Sequence, residues 1–417
     1  MVNVAVLGGG VVGSGVVDVI RKNCFSISQR AGEEIYVKKL VDIRDFSDSA
    51  YGDIYTDNPD EVFNDSSIGV VVETIGGIGV AYEFTKRALQ TGRHVVTSNK
   101  ELVATHGPEL LKMARDNRVN YLFEASVGGG IPIIRPLNQC LAANEIHGIT
   151  GILNGTTNYI LTQMKNRGKD FDTALKEAQR NGYAEADPTA DIEGHDACRK
   201  IAILSSIAYN EFVDYRNIHT EGITKLTLPD MRYADALGCV IKLVAISKKA
   251  GDMVYARVSP AIISKTHPLA NVEDVFNAIV VKGDAIGEAM FYGRGAGKLP
   301  TASAVVADII DIVKHTGISA RNVWPRRDYN NVIPVEDMET RFFIRVLVRN
   351  CDEARRYIIK NFGEVSFISL DGGRAPDNEL AFSTRKDKEK NLRAKIDSLK
   401  GIGSIKQVAG VIRYEEE

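Results

Sequence analysis

The chain has 417 residues, 44% hydrophobic and 25% charged, the composition of an ordinary globular protein with room for two or three domains. Its formal net charge of −2 supplies no global field to draw nucleic acid or an anionic membrane surface, and no apolar run approaches the ~20 residues of a membrane helix. The five cysteines, Cys24, Cys140, Cys198, Cys239 and Cys351, form no C-x-x-C pair, which argues against a zinc site or a disulfide framework and fits a reducing cytoplasm.

The opening M-V-N-V-A-V-L-G-G-G goes directly into a predicted strand, leaving no room for a signal peptide. From residue 1 to about 130, short β-branched runs alternate with helical patterns: Val4–Leu7, Ile35–Val41, Val70–Val72, His94–Thr97 and Tyr121–Phe123. Runs this short and apolar suit strands buried on both faces of a parallel sheet. The alternation predicts a Rossmann-like, doubly wound α/β fold. Within it Gly8, Gly10 and Gly13 form G-x-G-x-x-G in G-G-G-V-V-G, with Val11 and Val12 in the same turn. The motif follows a strand and opens a helix, the context of a dinucleotide fingerprint. Gly8 serves the tight turn, Gly10 the approach of the pyrophosphate, and Gly13 the packing of helix on strand. The second strand ends at Asp42, an acidic residue placed for ribose hydroxyls and against a 2′-phosphate. It lies farther along than the usual ~20 residues, with Asn23–Glu33 read as a longer connection. Arg44, two residues on, is placed to meet a phosphate.

The middle region, 131–300, has longer helices and glycine-marked turns and is expected to be an α+β domain. One predicted helix runs from Cys198 to Tyr209, another from Val305 to Val313; residues 300–320 are expected to return to the first domain. From Arg341 the composition changes. A strand at 341–349, a helix at Asp352–Asn361, strands at Glu364–Leu370 and Glu379–Ser383, a charged helix at Asp387–Leu399 and a strand at Ile405–Tyr414 give βαββαβ over 341–417.

The densest chemistry lies in N-G-Y-A-E-A-D-P-T-A-D-I-E-G-H-D-A-C-R-K, residues 181–200. It crowds Glu185, Asp187, Asp191, Glu193 and Asp196 together and closes on Lys200. As a calcium loop it fails, because Lys200 takes the place of the bidentate glutamate. A solvated acidic loop fits the spacing; so does a pocket in which carboxylates bind an ammonium group. Asp196 and Lys200 are four apart and share a helix face. A lysine so placed is tuned by its carboxylate neighbour and suited to proton transfer at a carbonyl or alcohol. Lys100 in T-S-N-K falls just past a parallel strand, where ligands bind. E-A-S-V-G-G-G-I-P (124–132) offers oxygen ligands suited to a hard cation. N-G-T-T-N-Y-I (154–160) reads as an anion- or amide-binding helix start.

Together these stretches, with E-T-I-G-G, G-I-L-N-G-T-T-N-Y-I-L and G-A-G-K-L-P-T-A-S-A, resemble homoserine dehydrogenases over residues 1 to about 320. The resemblance implies NAD- or NADP-dependent interconversion of L-homoserine and L-aspartate 4-semialdehyde, on the route to threonine, methionine and isoleucine. It implies that Lys200 exchanges the proton at the substrate oxygen, that Asp196 partners it and binds substrate, and that Lys100 sits near the nicotinamide and the reacting carbonyl. Glu185, with Tyr183 and Asp191, then holds the substrate ammonium. Thr74, Ser98, Lys100 and Gly295 line the cofactor. Glu124 and the carbonyls of Val127, Gly129 and Ile131 hold a structural, sodium-type monovalent cation. A dimer or tetramer is implied, with residues 131–300 serving substrate binding, catalysis and oligomerisation and with no nucleic-acid or membrane partner. Many relatives carry a basic residue where Asp42 falls, so Asp42 favours NAD. The C-terminal region resembles an ACT domain that takes an amino-acid effector, but its first strand–helix junction, R-N-C-D-E-A, lacks the usual proline–glycine turn. The rival readings are a dehydrogenase of another small amino acid and a non-catalytic nucleotide or amino-acid sensor.

Overall fold

The computed structural model describes residues 1–315, 323–370 and 378–415. Two compact units emerge: 1–149, 199–215 and 280–329 form the first, and 150–198, 216–279 and 330–417 the second. Residues 316–320, expected to return to the first domain, lie outside the described residues, as do 371–377 and 416–417 of the C-terminal region.

The first unit opens with β1 (Val2–Leu7), α1 (Val11–Lys22), α2 (Cys24–Ala31), β2 (Ile35–Val41), β3 (Tyr55–Thr56), α3 (Asp60–Phe63), β4 (Ile68–Glu73), α4 (Gly79–Gln90), β5 (His94–Thr97), α5 (Lys100–Asp116) and β6 (Tyr121–Leu122). The six strands pair in parallel in the order β3-β2-β1-β4-β5-β6. Val4, Val6, Val71, Val72, Val95 and Val96 have no exposed surface, as a sheet covered on both faces requires. The strand order reverses between β1 and β4, so the ends of these strands, Leu7 and Glu73, mark the switch point where ligands of such sheets bind. Asn23–Glu33 is not a plain connection. It contains α2, which buries Ile27 and Ala31, four residues apart, and ends at Gly32 with φ +82°.

The chain continues through β7 (Ile146–Ile152), α6 (Gly155–Arg167), α7 (Phe171–Arg180), α8 (Thr189–Ile192), α9 (His195–Tyr209), β8 (His219–Thr220), α10 (Leu228–Ala236), β9 (Cys239–Ala250), β10 (Met253–Ser264), β11 (Phe276–Gly283), β12 (Gly287–Arg294) and α11 (Lys298–Lys314). α9 begins three residues earlier than its apolar spacing suggested. β9 and β10 pair antiparallel through all their residues. α11 completes the core of the first unit: Ala302, Val305, Val306, Ile309 and Ile312 join Val4, Val6, Val16, Val17 and Val72 in one buried cluster. Among the described residues no helix is long and apolar enough to cross a membrane.

The last segment of the second unit holds β13 (Glu339–Thr340), β14 (Phe342–Val348), α12 (Cys351–Phe362), β15 (Ser366–Ile368), β16 (Glu379–Ser383), β17 (Asp387–Lys388), α13 (Glu389–Leu399) and β18 (Ile405–Tyr414). β18, β14, β16 and β15 are antiparallel neighbours in that order. Phe342, Ile344, Ile358, Phe382, Leu392 and Ile396 pack under them. The charged run reads partly as strand: Asp387 and Lys388 pair with β13 before α13 begins.

Candidate active site

The glycine loop is shaped by what a side chain would strike. Gly8 has φ +99°, and a Cβ there would lie 2.9 Å from the Thr74 carbonyl oxygen. A Cβ on Gly13 would lie 1.9 Å from the Gly8 oxygen, so α1 rests directly on the loop. At Gly10 a Cβ would meet only Arg44, at 3.7 Å; the backbone is open on that side. Gly10 caps α1 without a side-chain hydrogen bond, and Val11 beside it is 67% exposed while Val12 is half-buried. Open backbone at a helix N-terminus, with its positive dipole end, is the arrangement that accepts phosphate, so these residues fit a dinucleotide. Thr74 supports the loop from beneath: its hydroxyl sits 2.8 Å from the Gly8 carbonyl oxygen and 3.0 Å from that of Leu7.

Asp42 is buried beside this loop. Its carboxylate accepts the Gly9 N–H at 2.6 Å, the Arg44 N–H at 2.9 Å, and Arg44 Nε and Nη2 at 2.9 and 2.7 Å. The Arg44 side chain is the main reason its pKa falls to about 2, against the opposing effect of burial. The Arg44 guanidinium lies over the Phe46 ring.

A buried relay leads from β4 to the start of α5. Glu73, fully buried, accepts the Ile75 N–H and the Thr97 hydroxyl, each at 2.6 Å. Thr97 accepts the Asn99 N–H at 2.9 Å. Asn99 caps α5 by accepting the Leu102 N–H, and its amide donates to the Ile75 and Gly77 carbonyls. Ser98 lies between, its N–H on the Glu73 carbonyl at 3.4 Å. Lys100 is the next residue, at the first turn of α5. Burial lifts the Glu73 carboxyl to about 7, against the hydrogen bonds it accepts. Glu101 binds Arg199 of α9 at 3.0 Å. The neighbours of that ion pair along the chain are Lys100 and Lys200. Lys200 is itself buried.

In the second unit Asn154 is the organising residue. Its Oδ1 accepts the Thr157 N–H and caps α6. Its Nδ2 donates to Asp191 Oδ1 at 2.7 Å and to Asp196 Oδ2 at 2.9 Å. Two carboxylates, one of them buried at 4% exposure, thus converge on one amide. Tyr183 and Glu185 are exposed. The Tyr183 ring stands edge-on to Tyr159 at 5.0 Å, its carbonyl accepts the Thr156 hydroxyl, and the Glu185 carbonyl accepts Gln179 Nε2. Asp196 and Lys200 share the α9 face predicted for them.

The 124–135 turn belongs to the first unit. Glu124 is buried, and its carboxylate accepts the N–H groups of Ile133, Ile134 and Arg135 at 2.6, 2.8 and 2.7 Å. Asp308 on α11 accepts the Glu124 N–H and pairs with Arg135. Burial, then the Glu124 charge, raise the Asp308 carboxyl to about 7. A Cβ on Gly128 would lie 2.3 Å from the Ile131 oxygen, and one on Gly129 2.3 Å from the Gly295 oxygen, so carbonyls fold inward here. The Glu124 carboxylate is thus occupied by three N–H groups, and the oxygens left over in this turn are backbone carbonyls, a donor type that hard cations accept. Among the described residues no group of three or more His, Cys, Asp or Glu is placed to hold a metal ion.

Two residues that the sequence reading did not single out carry these arrangements, Asn154 and Glu73. Asn154 stands inside the helix start N-G-T-T-N-Y-I, and Glu73 opens the motif E-T-I-G-G, but neither stretch by itself assigns the residue a role.

A glycine loop open to phosphate at the switch point of a parallel sheet, with Lys100 just past the end of β5 in the same sheet, places the protein among nicotinamide-dependent oxidoreductases. The homoserine dehydrogenase family model matches residues 132–310, and the model for the NAD binding domain of homoserine dehydrogenase matches residues 8–124. The chain belongs to the homoserine dehydrogenase family. It is 38% identical to the homoserine dehydrogenase of Neisseria gonorrhoeae over 431 aligned positions, covering 99% of this chain and 98% of that one. The crystal structure of a homoserine dehydrogenase from Thiobacillus denitrificans matches with a TM-score of 0.90 at 39% identity, over 100% of this chain and 98% of that one. A hyperthermophilic archaeal homoserine dehydrogenase in complex with NADPH matches with a TM-score of 0.63 at 30% identity, over 74% of this chain and 97% of that one.

Proposed function

We propose that the chain interconverts L-homoserine and L-aspartate 4-semialdehyde, with Lys200 exchanging the proton at the substrate oxygen. The observation that carries this is the convergence of Asp191 and Asp196 on Asn154, one turn of α9 before the buried Lys200. The nicotinamide supplies or accepts the hydride. The glycine loop and the N-terminus of α1 hold the pyrophosphate. Asp196 and Asp191 fix the amino-acid end of the substrate, with Glu185 and Tyr183 at its ammonium. Lys100, set by the Glu73–Thr97–Asn99 relay, stabilises negative charge developing on the oxygen. Ser98, Thr74 and Gly295 shape the cofactor's surroundings.

NAD is preferred over NADP in this reading, because Asp42 stays anionic beside the ribose position and holds Arg44 to itself. A monovalent cation such as sodium is held by the carbonyls of Val127, Gly129 and Ile131 with Glu124 behind them, and it serves structure alone. The C-terminal βαββαβ module takes an amino-acid effector. The protein works as a dimer or tetramer; β12, with Met290 and Tyr292 exposed, is an edge that such assembly would cover.

The test is nicotinamide absorbance with homoserine, run in parallel with NAD and NADP. Turnover with either, abolished in Lys200→Ala at unchanged cofactor affinity, is the expected result. No turnover with either cofactor would defeat the homoserine reading.

A further inference from the structure

The C-terminal module closes on Arg413 of β18, whose side chain is 2% exposed. Its Nη1 and Nη2 donate to the two carboxylate oxygens of Glu221 at 2.7 and 3.0 Å. Its Nε and Nη2 also donate to Glu389 at 2.9 and 2.6 Å. Arg393 of α13 donates to both carboxylates, at 2.9 and 3.0 Å, and His219 sits 2.8 Å from Glu221. Two guanidinium groups and two carboxylates therefore form one network, much of it out of water. Buried ion pairs of this kind add little net stability, since desolvation offsets attraction. What the network does is pin the segment 219–224.

The other side of that segment grips the acidic motif. The Ile223 N–H donates to the Ile192 carbonyl at 2.8 Å. The Thr224 hydroxyl donates to Glu193 at 3.0 Å. A Cβ on Gly222 would lie 2.2 Å from the Ile192 oxygen and 2.5 Å from Glu193 Cα, and one on Gly194 3.1 Å from Thr220 Cγ2. No slack separates the two backbones. Gly194, at φ +82°, then launches α9 by accepting the Cys198 N–H at 2.9 Å, and Asp196 lies in that first turn.

We propose that Arg413 and Glu221 are positioning residues through which the C-terminal module sets the placement of Asp191 and Asp196, and with it the affinity for the amino-acid substrate. The proposal rests on the substrate role given to those two aspartates above. The hydrogen bonds named for the network run within the second unit and lead to the acidic motif, so substrate and cofactor binding should respond differently.

Three variants test it: Arg413→Lys, Glu221→Gln and Arg393→Gln, the last with its side chain 42% exposed and expected to fold normally. Each is measured for homoserine KM, cofactor KM and kcat, and for amide hydrogen exchange across 192–198 in substrate-free protein. Arg413→Lys and Glu221→Gln should raise the homoserine KM about tenfold, within the usual range of coupling between sites; Arg393→Gln should raise it severalfold. Cofactor KM and kcat should stay within about twofold, and the 192–198 amides should exchange faster. The Glu221→Gln/Arg413→Lys double variant should be little worse than either alone, as expected of partners in one network. Unchanged homoserine KM and unchanged exchange in folded Arg393→Gln and Glu221→Gln would overturn the proposal, whatever becomes of Arg413→Lys. The exchange measurement needs no substrate. Absence of homoserine turnover in the unaltered enzyme would therefore defeat the functional reading; in an active enzyme, unchanged exchange together with unchanged homoserine KM in the variants would defeat this one.

Discussion

The carboxylate of Asp42 has two tasks: it anchors the Gly9 N–H under the glycine loop and it holds the Arg44 guanidinium. Removing it should therefore do more than delete a ribose ligand. In Asp42→Ala, Arg44 is released to meet a 2′-phosphate, and the ratio of kcat/KM for NAD to that for NADP should fall by about tenfold or more, a difference of ~1.4 kcal/mol; parallel kinetics with the two cofactors check this. An unchanged ratio would remove Asp42 as the discriminating residue. Gly13 is the second residue whose substitution is unambiguous. A methyl group 1.9 Å from the Gly8 oxygen forces α1 off the loop, so Gly13→Ala should abolish measurable cofactor binding by calorimetry. The place of each was legible in the chain, Gly13 because the glycine spacing encodes a backbone shape and Asp42 because it ends the second strand. The hold of Asp42 on Arg44 was not, since sequence alone leaves an arginine two residues away equally ready for a phosphate.

At the scale of elements, α6 and α9 are tied by one side chain. Asn154 caps the first and gathers Asp191 of α8 and Asp196 from the first turn of the second. Asn154→Ala should cost about 1 kcal/mol as a lost cap, read as a lower melting temperature. It should also raise the homoserine KM, with little change in that of the cofactor. A cap loss with unaltered KM would confine Asn154 to structure. Five of the six strands of the first sheet could be read from the chain within a residue or two, because Val and Ile runs such as Val70–Val72 admit few other placements; the two-residue edge strand β3 is too short to show a pattern. The long hairpin β9–β10 could not. Its strands are buried for most of their length on both faces, so the alternation that marks a half-exposed strand is missing. α2 was hidden for the opposite reason: only Ile27 and Ala31 of its eight residues are buried, too sparse a stripe to stand out.

Across the whole molecule, buried carboxyls set the response to pH. Glu73 and Asp308 are both held near 7 by burial, while in the unfolded chain they ionise near 4. Between about pH 4 and 7 the native state keeps protons that the unfolded state has released, so stability should fall as pH rises through that window. Asp42 acts the other way: lowered to about 2, it contributes stability above its unfolded value near 4 that is lost as pH drops toward 2. Thermal unfolding from pH 5 to 8 should show the decline, and Glu73→Gln, a neutral amide in the same place, should flatten it. An equal slope in that variant would assign the decline elsewhere. In the second unit Arg345, 6% exposed, bridges Asp230 of α10 and Glu379 of β16. Arg345→Ala leaves two carboxylates uncompensated in the interior and should cost about 3–5 kcal/mol, measured by denaturant unfolding.

The core of the first unit is stitched from distant pieces of chain, with α11 supplying Val305, Ile309 and Ile312 to a sheet begun at Val4. A ribosome working at about 5–20 residues per second delivers β1 to β6 long before it delivers α11. For a period on the order of ten seconds or more, the newborn sheet carries an uncovered apolar face that only its own later sequence, or a chaperone standing in for it, can shield. Nascent chains arrested before Lys298 should therefore leave their N-terminal part open to protease, and chains extended past Tyr329 should protect it. Equal protection at both lengths would show that the sheet closes without its last helix.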